Sequence, residues 1–416
     1  MISVPESLWR PAATSHSDRI RKLLAPGLTG INHPMNSGRR RQLGRNNSKD
    51  QHERSWTALD SQNPVYNFLI EYYGLKGAKG PKRLARWSPD PALLMCSEDE
   101  LSSRGVKSEM KRIPGIESTT DAEHSGILLE GANEHDFKGT LHLKGALPIA
   151  DESSGFVYSP SIFYKCSPDG NDHSALMKAA SPFQWYRAIL TNTLSSEPIF
   201  HCHGLHEWAM QYHPVGAEPP PSGKYQQHMP LRVSREKIAE TVERRGIHCT
   251  HVDALRFFAP AAAPLNHHGE RLQRTDQLRL EQKGCVHAHM DLLKISTRLQ
   301  PFVDATIVAD TLEIALAARR LDIEASPYDV TSYGLGIVPV ETPEGREEYR
   351  RRQKDLMKRA QPVRERLLNA YETFLELAFD EEILTGADRH PAPERFAAAA
   401  PGSPPWRKNL IEVEIQ

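Results

Sequence analysis

The chain has 416 residues, of which 39% are hydrophobic and 25% charged, and its formal net charge is -1. This is ordinary globular composition, and it excludes a chain that is disordered throughout. The near-neutral charge gives no general support to nucleic-acid binding, because neutralising phosphates requires a basic excess. We therefore expect one sizeable hydrophobic core, with any DNA contact limited to a local patch.

The cysteine pattern and the lack of long apolar runs bear on the compartment. The five cysteines are odd in number, widely spaced and without a CxxC pair, which is typical of reduced thiols inside the cell. No apolar run approaches the roughly 20 residues that cross a bilayer, and the N-terminus lacks a secretory signal pattern. We expect an intracellular protein, cytoplasmic or nuclear, with no membrane contact. An organellar address stays open, because residues 1–60 carry more basic than acidic residues.

Three regions are predicted along the chain. Residues 1–62 combine an amphipathic helix at 7–24 with a flexible basic segment. Residues 63–385 form a single catalytic-type core, with a polar insertion at about 90–124. Residues 386–416, rich in alanine and proline, form a disordered tail.

Hydrophobic periodicity within the core changes from sheet to helix. Short apolar runs at 126–131, 140–145 and 155–160 alternate with glycine and predict a small β-sheet in the first half of the core. A helix is predicted from about residue 65, and helices dominate after Ser181. A strong helix is predicted at 305–321, and another begins at Pro343 with Thr342 as its cap and breaks before Pro362. The predicted fold class is α+β, mainly helical.

Three short segments pair histidine with a carboxylate and carry the candidate chemistry. They are 201–208 (HCHGLHEW), 251–256 (HVDALR) and 287–294 (HAHMDLLK). Imidazole and carboxylate are ligands of zinc, iron and manganese, and two histidines with one carboxylate suit non-haem iron. His287 and Asp291 are four residues apart, so they share a face if the segment is helical. Such pairs also act as acid/base groups, or only satisfy each other's hydrogen bonds.

Eleven distinct short motifs follow one another along the chain between about residues 63 and 375. They are 64–69 (PVYNFL), 72–73 (YY), 84–89 (LARWSP), 126–132 (GILLEGA), 204–212 (GLHEWAMQY), 251–260 (HVDALRFFAP), 264–266 (PLN), 284–294 (GCVHAHMDLLK), 321–322 (LD), 325–329 (ASPYD) and 341–349 (ETPEGREEY). These motifs resemble a family from actinobacteria, cyanobacteria, algae and plants whose members are named 3-methyladenine DNA glycosylase. They do not resemble the helix–hairpin–helix glycosylases. The resemblance retains His206, His251 and His287 but not the other histidines of the three segments, which are His201, His203 and His289.

Two classes of enzyme and one binding module stay open. The resemblance implies hydrolysis of the N-glycosidic bond to an alkylated purine, in DNA or in a free nucleoside, with a carboxylate activating water and aromatic rings stacking on the base. The alternative is a metal-dependent oxygenase or hydrolase acting on a small molecule. Its ligands would be His206, His251 and His287, with Asp253 or Glu207, around divalent iron, zinc or manganese. The third interpretation is a module that binds such a ligand without turnover.

The candidate residues are expected to converge in one partly buried pocket. Arg256 has two alternative roles there, as the counter-charge of Asp253 or Asp291 or as the anchor of a substrate anion. The predicted catalytic residues are Glu207, Asp253 and Asp291, and the predicted substrate-binding residues are Trp208, Arg256, Phe257, Phe258, Lys294 and Tyr328.

Overall fold

A computed structural model describes residues 1–29, 56–108, 126–137, 139–142, 144–149, 155–165, 172–218 and 229–387. Of these residues 59% are helical, and a small five-stranded mixed sheet completes the fold. This confirms the predicted α+β class, mainly helical. The basic run at 39–41, part of the predicted insertion and almost all of the predicted tail lie outside the described ranges. Within those ranges, every helix is too short or too polar to cross a membrane.

The sheet lies near the N-terminus and joins distant parts of the chain. Its strand order is β2-β1-β3-β5-β4, in which β1 runs parallel to β3 and the other neighbours are antiparallel. An apolar cluster that includes Trp9 packs on it, and the indole nitrogen of Trp9 donates to the carbonyl of Glu130 at 2.9 Å. The strands are β1 Ile2–Val4, β2 Lys107–Ser108, β3 Ile127–Glu130, β4 Ala146–Ile149 and β5 Gly155–Tyr158.

One predicted strand is wrong. In the described part of the run at 140–145, Leu141 forms only an isolated bridge to Trp87. The strand begins later, at Ala146, after Gly145 has turned the chain with a φ of 79°. One of the three inner strands of the sheet is β1, which comes from the N-terminus. Pairing over more than a hundred residues leaves no local sequence signal, so this strand was not predicted.

Helices form the rest of the described core. Helices α12 and α13 pack along each other, α14 contacts both of them, and α7 packs against α14 and α15. They surround the larger apolar cluster, which is built mainly from leucine, isoleucine and aromatic side chains. The helices are α1 Glu6–Leu24, α2 Asn67–Glu71, α3 Lys79–Leu84, α4 Glu98–Ser103, α5 Glu134–Phe137, α6 Pro160–Lys165, α7 His173–Ser195, α8 Leu205–Gln211, α9 Arg235–Arg245, α10 Val252–Leu255, α11 Gln277–Leu280, α12 Val286–Leu299, α13 Ala305–Glu324, α14 Pro343–Ala378 and α15 Glu381–Ala387.

Helix α14 is capped as predicted but has no break. The side chain of Thr342 accepts from the amide of Gly345 at 3.0 Å, and Pro343 occupies the first position. The break predicted before Pro362 is wrong, because the helix continues through it. Pro362 is exposed, whereas Ala360 and Leu367 on the opposite face are buried. Burial of that face outweighs the one hydrogen bond that proline removes.

We expect the protein to lose stability in acid because of His142, whose carbonyl accepts from Tyr158 of the sheet. Burial, with the charge of Arg86, lowers the pKa of His142 from 6.5 to about 3. Since the unfolded chain takes up this proton and the folded protein does not, stability falls as the pH drops below the unfolded value. We expect His142 to cost roughly 2 kcal/mol between pH 7 and pH 5. Denaturant unfolding of the wild type and His142→Gln at both pH values measures this, and an equal pH dependence in the two proteins contradicts it.

Candidate functional site

His206 lies where helix α8 begins against helix α13. Gly204, which precedes α8, has a φ of 70°, and a side chain there would approach Ala325 and Tyr349 at 3.3 Å. Glycine therefore lets α8 start close to the end of α13. The contact is fixed by Trp208, whose indole nitrogen donates to the carbonyl of Ala325 at 2.9 Å.

Three donor groups from three helices meet at this contact. Nε2 of His206 on α8 lies 2.5 Å from Oδ1 of Asp322 on α13. The ring of His287, near the start of α12, is centred 4.4 Å from that of His206. One ligand atom from each of these three residues lies within 4.8 Å of the others. We call His206, His287 and Asp322 the histidine–aspartate group.

Arg319 balances the buried carboxylates beside this group. Its terminal nitrogen Nη1 donates to Glu207 at 2.7 Å and to Asp322 at 2.6 Å, and its Nε donates to the carbonyl of Pro64 at 3.2 Å. Glu207 and Asp322 are almost fully buried. Burial alone would raise the pKa of Asp322, but His206 and Arg319 hold it below its usual range. Glu207, predicted as catalytic, is thus one carboxylate of a buried ion triad.

His251 continues the site on the other side of His287. The two rings stack with centres 5.2 Å apart, so the predicted closeness of the three imidazoles His206, His251 and His287 is confirmed. Nε2 of His251 lies 3.3 Å from Asp291 and 3.7 Å from Glu281. Burial opposes protonation of His251, but the hydrogen bond and charge of Asp291, with the charge of Glu281, outweigh it and raise the pKa of His251.

The pKa values of Asp291 and Asp253 are lowered because cations surround the two carboxylates. Burial alone would raise the pKa of Asp291, but Lys294 and His251 hold it at about 2. His287 and Asp291 share one face of α12, as predicted, although His251 and not His287 is the ring next to Asp291. Asp253 is likewise held well below its usual pKa by Lys294 and Arg274, against the effect of burial.

The counter-charge of Asp253 is Arg274 rather than Arg256. Arg274 makes two hydrogen bonds to Asp253, at 2.9 and 3.0 Å. Lys294 lies 3.5 Å from Asp253 and 3.8 Å from Asp291. Arg256 is 3.5 Å from Asp253, with its side chain 48% exposed, and its guanidinium lies over the ring of Phe257. Of the two roles considered for Arg256, the structural one is therefore filled by another residue.

The predicted aromatic residues differ in what they can contact. Trp208, Phe258 and Tyr328 are buried in the core, and the hydroxyl of Tyr328 accepts from Gln211 at 3.1 Å. Their ring faces are covered by protein in this arrangement. Phe257 is half-buried and meets the exposed Tyr72 edge to face at 5.7 Å. This leaves Phe257 as the one predicted aromatic residue with a partly exposed ring.

Comparisons with family models, with curated proteins and with solved structures found no match for this chain. The motif resemblance to the proteins named 3-methyladenine DNA glycosylase stays a prediction.

Four polar residues of the site, three of them buried, were not predicted from the sequence. Glu281 has a raised pKa, because burial outweighs the attraction of His251, and it accepts from Gln277, which also donates to Asp291 at 3.3 Å. Arg274 and Glu281 lie on or next to short helices without a periodic hydrophobic pattern, so the sequence did not indicate them. Arg319 and Asp322 could have been found, because these two charged residues fall at or just after the end of the strongly apolar helix predicted at 305–321. The missed residues are Arg274, Glu281, Arg319 and Asp322.

The different attachments of Arg274 and Arg256 predict different stability losses. Arg274→Gln removes two hydrogen bonds from the half-buried carboxylate of Asp253 and should lower the free energy of unfolding by about 1–3 kcal/mol. Arg256→Gln removes an exposed, long ion pair and the contact of the guanidinium with the ring of Phe257, and should change the free energy of unfolding by at most about 1 kcal/mol. Urea unfolding of both variants beside the wild type provides the measurement. A larger loss for Arg256→Gln than for Arg274→Gln would reverse the two assignments.

Proposed function

We propose that the protein is a metal-dependent enzyme whose ion is bound by the histidine–aspartate group. The observation that carries the proposal is the meeting of two imidazoles and one carboxylate, from three separate helices, within 4.8 Å. This donor set, two histidines and one carboxylate on rigid elements, suits divalent iron, zinc or manganese. It differs from the expected ligand set in using Asp322 in place of Asp253 or Glu207, and in leaving His251 outside the group.

Two of the three donor atoms have only each other as a partner. Nε2 of His206 and Oδ1 of Asp322 lie 2.5 Å apart as an ion pair, and neither makes a further hydrogen bond within the described ranges. A cation bound by both atoms would take the place of this contact. The other oxygen of Asp322 already accepts from Arg319, which holds the carboxylate in place.

The neighbouring acidic group is less suited to a metal ion. Ligand atoms of His251, Asp253 and Asp291 also lie within 4.8 Å of one another. However, Arg274 and Lys294 contact these carboxylates directly. A metal ion there would meet two fixed positive charges, whereas the histidine–aspartate group has one, Arg319, whose charge Glu207 already offsets. The acidic group is therefore better explained as an ion network.

The same cations supply a subsite for an anionic substrate. Arg256, Arg274 and Lys294 face the two carboxylates Asp253 and Asp291, and the amino group of Lys294 and the guanidinium of Arg256 are partly exposed. A guanidinium binds a carboxylate or phosphate through two parallel hydrogen bonds. Phe257 beside Arg256 offers a partly exposed ring. We infer a small substrate that carries an anionic group and a planar or apolar part.

The division of labour among the residues follows from this arrangement. A divalent ion at the histidine–aspartate group would supply a Lewis acid that polarises an oxygen of the substrate or of water. Arg256 and Lys294 would orient the substrate anion, and the pair of His251 and Asp291, next to His287, would hold a proton near the reacting atoms. Glu207 would keep Arg319 in place rather than act as a base.

A second candidate function is N-glycosidic hydrolysis without a metal, as the motif resemblance implies. The guanidinium of Arg256 lies over the half-buried ring of Phe257 and 3.5 Å from the carboxylate of Asp253. A stacking surface and an acid in one region are what base hydrolysis uses. The near-neutral net charge of the chain favours a nucleobase or nucleoside over DNA as the substrate.

Metal titration of chelator-treated protein separates the two candidates. We expect the wild type to bind one Zn²⁺ or Co²⁺ ion, with the affinity reduced at least about a hundredfold in Asp322→Asn. His173→Gln, which changes an exposed histidine on α7, is the matched control and should bind as the wild type does. Metal-free wild type that releases base from methylated DNA or from an alkylated nucleoside would instead support the glycosidic hydrolase and contradict the metal-dependent enzyme.

A further inference from the structure

Four histidines lie together at the surface, outside the histidine–aspartate group and the acidic network. The rings of His248 and His267 stack almost parallel, with centres 4.1 Å apart and an angle of 8° between their planes. The ring of His201 meets that of His248 edge to face at 6.0 Å, and His268 follows His267 in the chain. His201 and His267 are exposed, whereas His248 and His268 are half-buried. We call His248 and His267 the stacked pair.

Hydrogen bonds between two loops hold the stacked pair together. The amide of His267 donates to the carbonyl of Ile247 at 2.8 Å. The side chain of Asn266 accepts from the amide of Cys249 at 2.9 Å and donates to the carbonyl of Cys249 at 3.2 Å. These bonds attach the second loop, residues 265–269, to the first, and we call this second loop the histidine loop.

The histidine loop supports one side of the candidate site. His248 and Cys249, to which it is attached, lie on the wall of a small enclosed cavity. His206 and His287 of the histidine–aspartate group lie on the same wall. His251 comes two residues after Cys249, and its ring stacks on that of His287. Release of the histidine loop would therefore loosen the segment that holds His251 in place.

The groups that act electrostatically on the stacked pair are imidazoles and guanidinium groups. Burial, with the charges of His267, His201 and His268, lowers the pKa of His248. Burial, with the charges of His267 and Arg279, lowers the pKa of His268. Within the described ranges, no carboxylate is among these neighbours. The next cations along the surface surround His203, and they are Arg245, Arg346 and Arg350.

We propose that the stacked pair is a pH-sensitive latch, which keeps the histidine loop attached at neutral pH and releases it in acid. Two uncharged imidazoles can stack with centres 4.1 Å apart, but two imidazolium ions at this distance repel each other. Since the neighbouring groups are themselves cationic or become so in acid, they add to the repulsion. The inference goes beyond the proposed function, because neither a metal ion nor a substrate takes part in the latch.

The direction of the pH dependence follows from proton uptake on opening. When the histidine loop separates, His248 and His268 lose the burial and the neighbouring charges that lower their pKa, so both return toward the ordinary value of 6.5. The open state then binds more protons than the closed state. The closed state is therefore favoured above this value and is progressively lost as the pH falls below it.

Hydrogen–deuterium exchange of the metal-free full-length chain at pH 5 and pH 7.5 tests the latch. The protection factor, which corrects for the chemical pH dependence of exchange, is compared for the amides of Ile247 and His267, both of which are bonded between the two loops. We expect it to be about three- to tenfold lower at pH 5 in the wild type. His267→Phe keeps a ring that can stack but takes up no proton, so its change should be less than about twofold. His173→Gln, the exposed control, should follow the wild type.

Helix α13 separates this local opening from global unfolding. Its buried side chains belong to the larger apolar cluster, so its amides report unfolding of the core, and their pH dependence should be the same in His267→Phe and the wild type. Equal protection of Ile247 at the two pH values in the wild type would overturn the inference. An equal loss in the wild type and in His267→Phe would also overturn it, because the stacked pair would then not take up the proton. A loss that disappears in His267→Phe at Ile247 but not in α13 supports it, whereas disappearance in both would assign the loss to global unfolding and overturn it.

Discussion

Replacing Arg319 with methionine in the metal-free protein is expected to lower the free energy of unfolding by about 3–5 kcal/mol. The guanidinium of Arg319 is the direct cationic partner of both Glu207 and Asp322, at 2.7 and 2.6 Å. Both carboxylates are buried, at 2% and 0% exposure. Methionine fills a similar volume but leaves these charges uncompensated in the protein interior. Denaturant unfolding followed by circular dichroism measures the change.

The neighbouring residue on the same helix is a matched control for this prediction. Arg320 also pairs with a carboxylate, Glu324, but its side chain is 52% exposed. Arg320→Met should therefore cost at most about 1 kcal/mol. Equal losses in the two variants would show that burial does not increase the contribution of the Arg319 ion triad to the free energy of unfolding.

Addition of Zn²⁺ or Co²⁺ to the metal-free wild type is expected to raise the free energy of unfolding by about 4 kcal/mol at a free ion concentration a thousandfold above Kd. Binding to the folded state alone stabilises it, and the donors of the histidine–aspartate group come from three helices that separate on unfolding. His287→Gln removes one of these donors, so it should lose most of this stabilisation. Thermal unfolding with and without the ion gives the measurement.

His173→Gln controls for metal binding to exposed histidines in this experiment. It should keep the full metal-dependent stabilisation, because His173 lies at the exposed start of helix α7. If His287→Gln retained the stabilisation of the wild type, the stabilising ion would have to bind elsewhere. That result would remove His287 from the proposed ligands.

The helical part of the fold could be predicted from the sequence because its signals are local. Helix α13 has an apolar stripe, and helix α14 has a threonine cap followed by proline. The continuation of α14 through Pro362 depends on burial of its far side against the core, which a local pattern does not contain. The position of β1 in the sheet depends on pairing with β3, more than a hundred residues away.

The site could be predicted only in part, because some of its residues belong to local motifs and others are brought in by distant elements. Spacing placed His287 and Asp291 on one face of a helix, and short motifs singled out His206 and His251. The partners Arg274 and Asp322 come from other elements, at 21 and 116 residues from the side chains that they contact. Charge balance in a buried cluster requires such partners, but their positions follow from the packing of the helices. The roles of the predicted residues remain proposals.

Elemental analysis of the protein, purified without chelator and without added metal, tests the central claim most directly. The account predicts close to one equivalent of iron, zinc or manganese per chain in the wild type. It also predicts loss of that ion in a variant with His206→Ala and Asp322→Ala together. This variant removes the carboxylate and one of the two imidazoles of the group and leaves Arg319 paired with Glu207. Wild-type protein that is folded and carries none of these metals, and that binds none on titration, would contradict it.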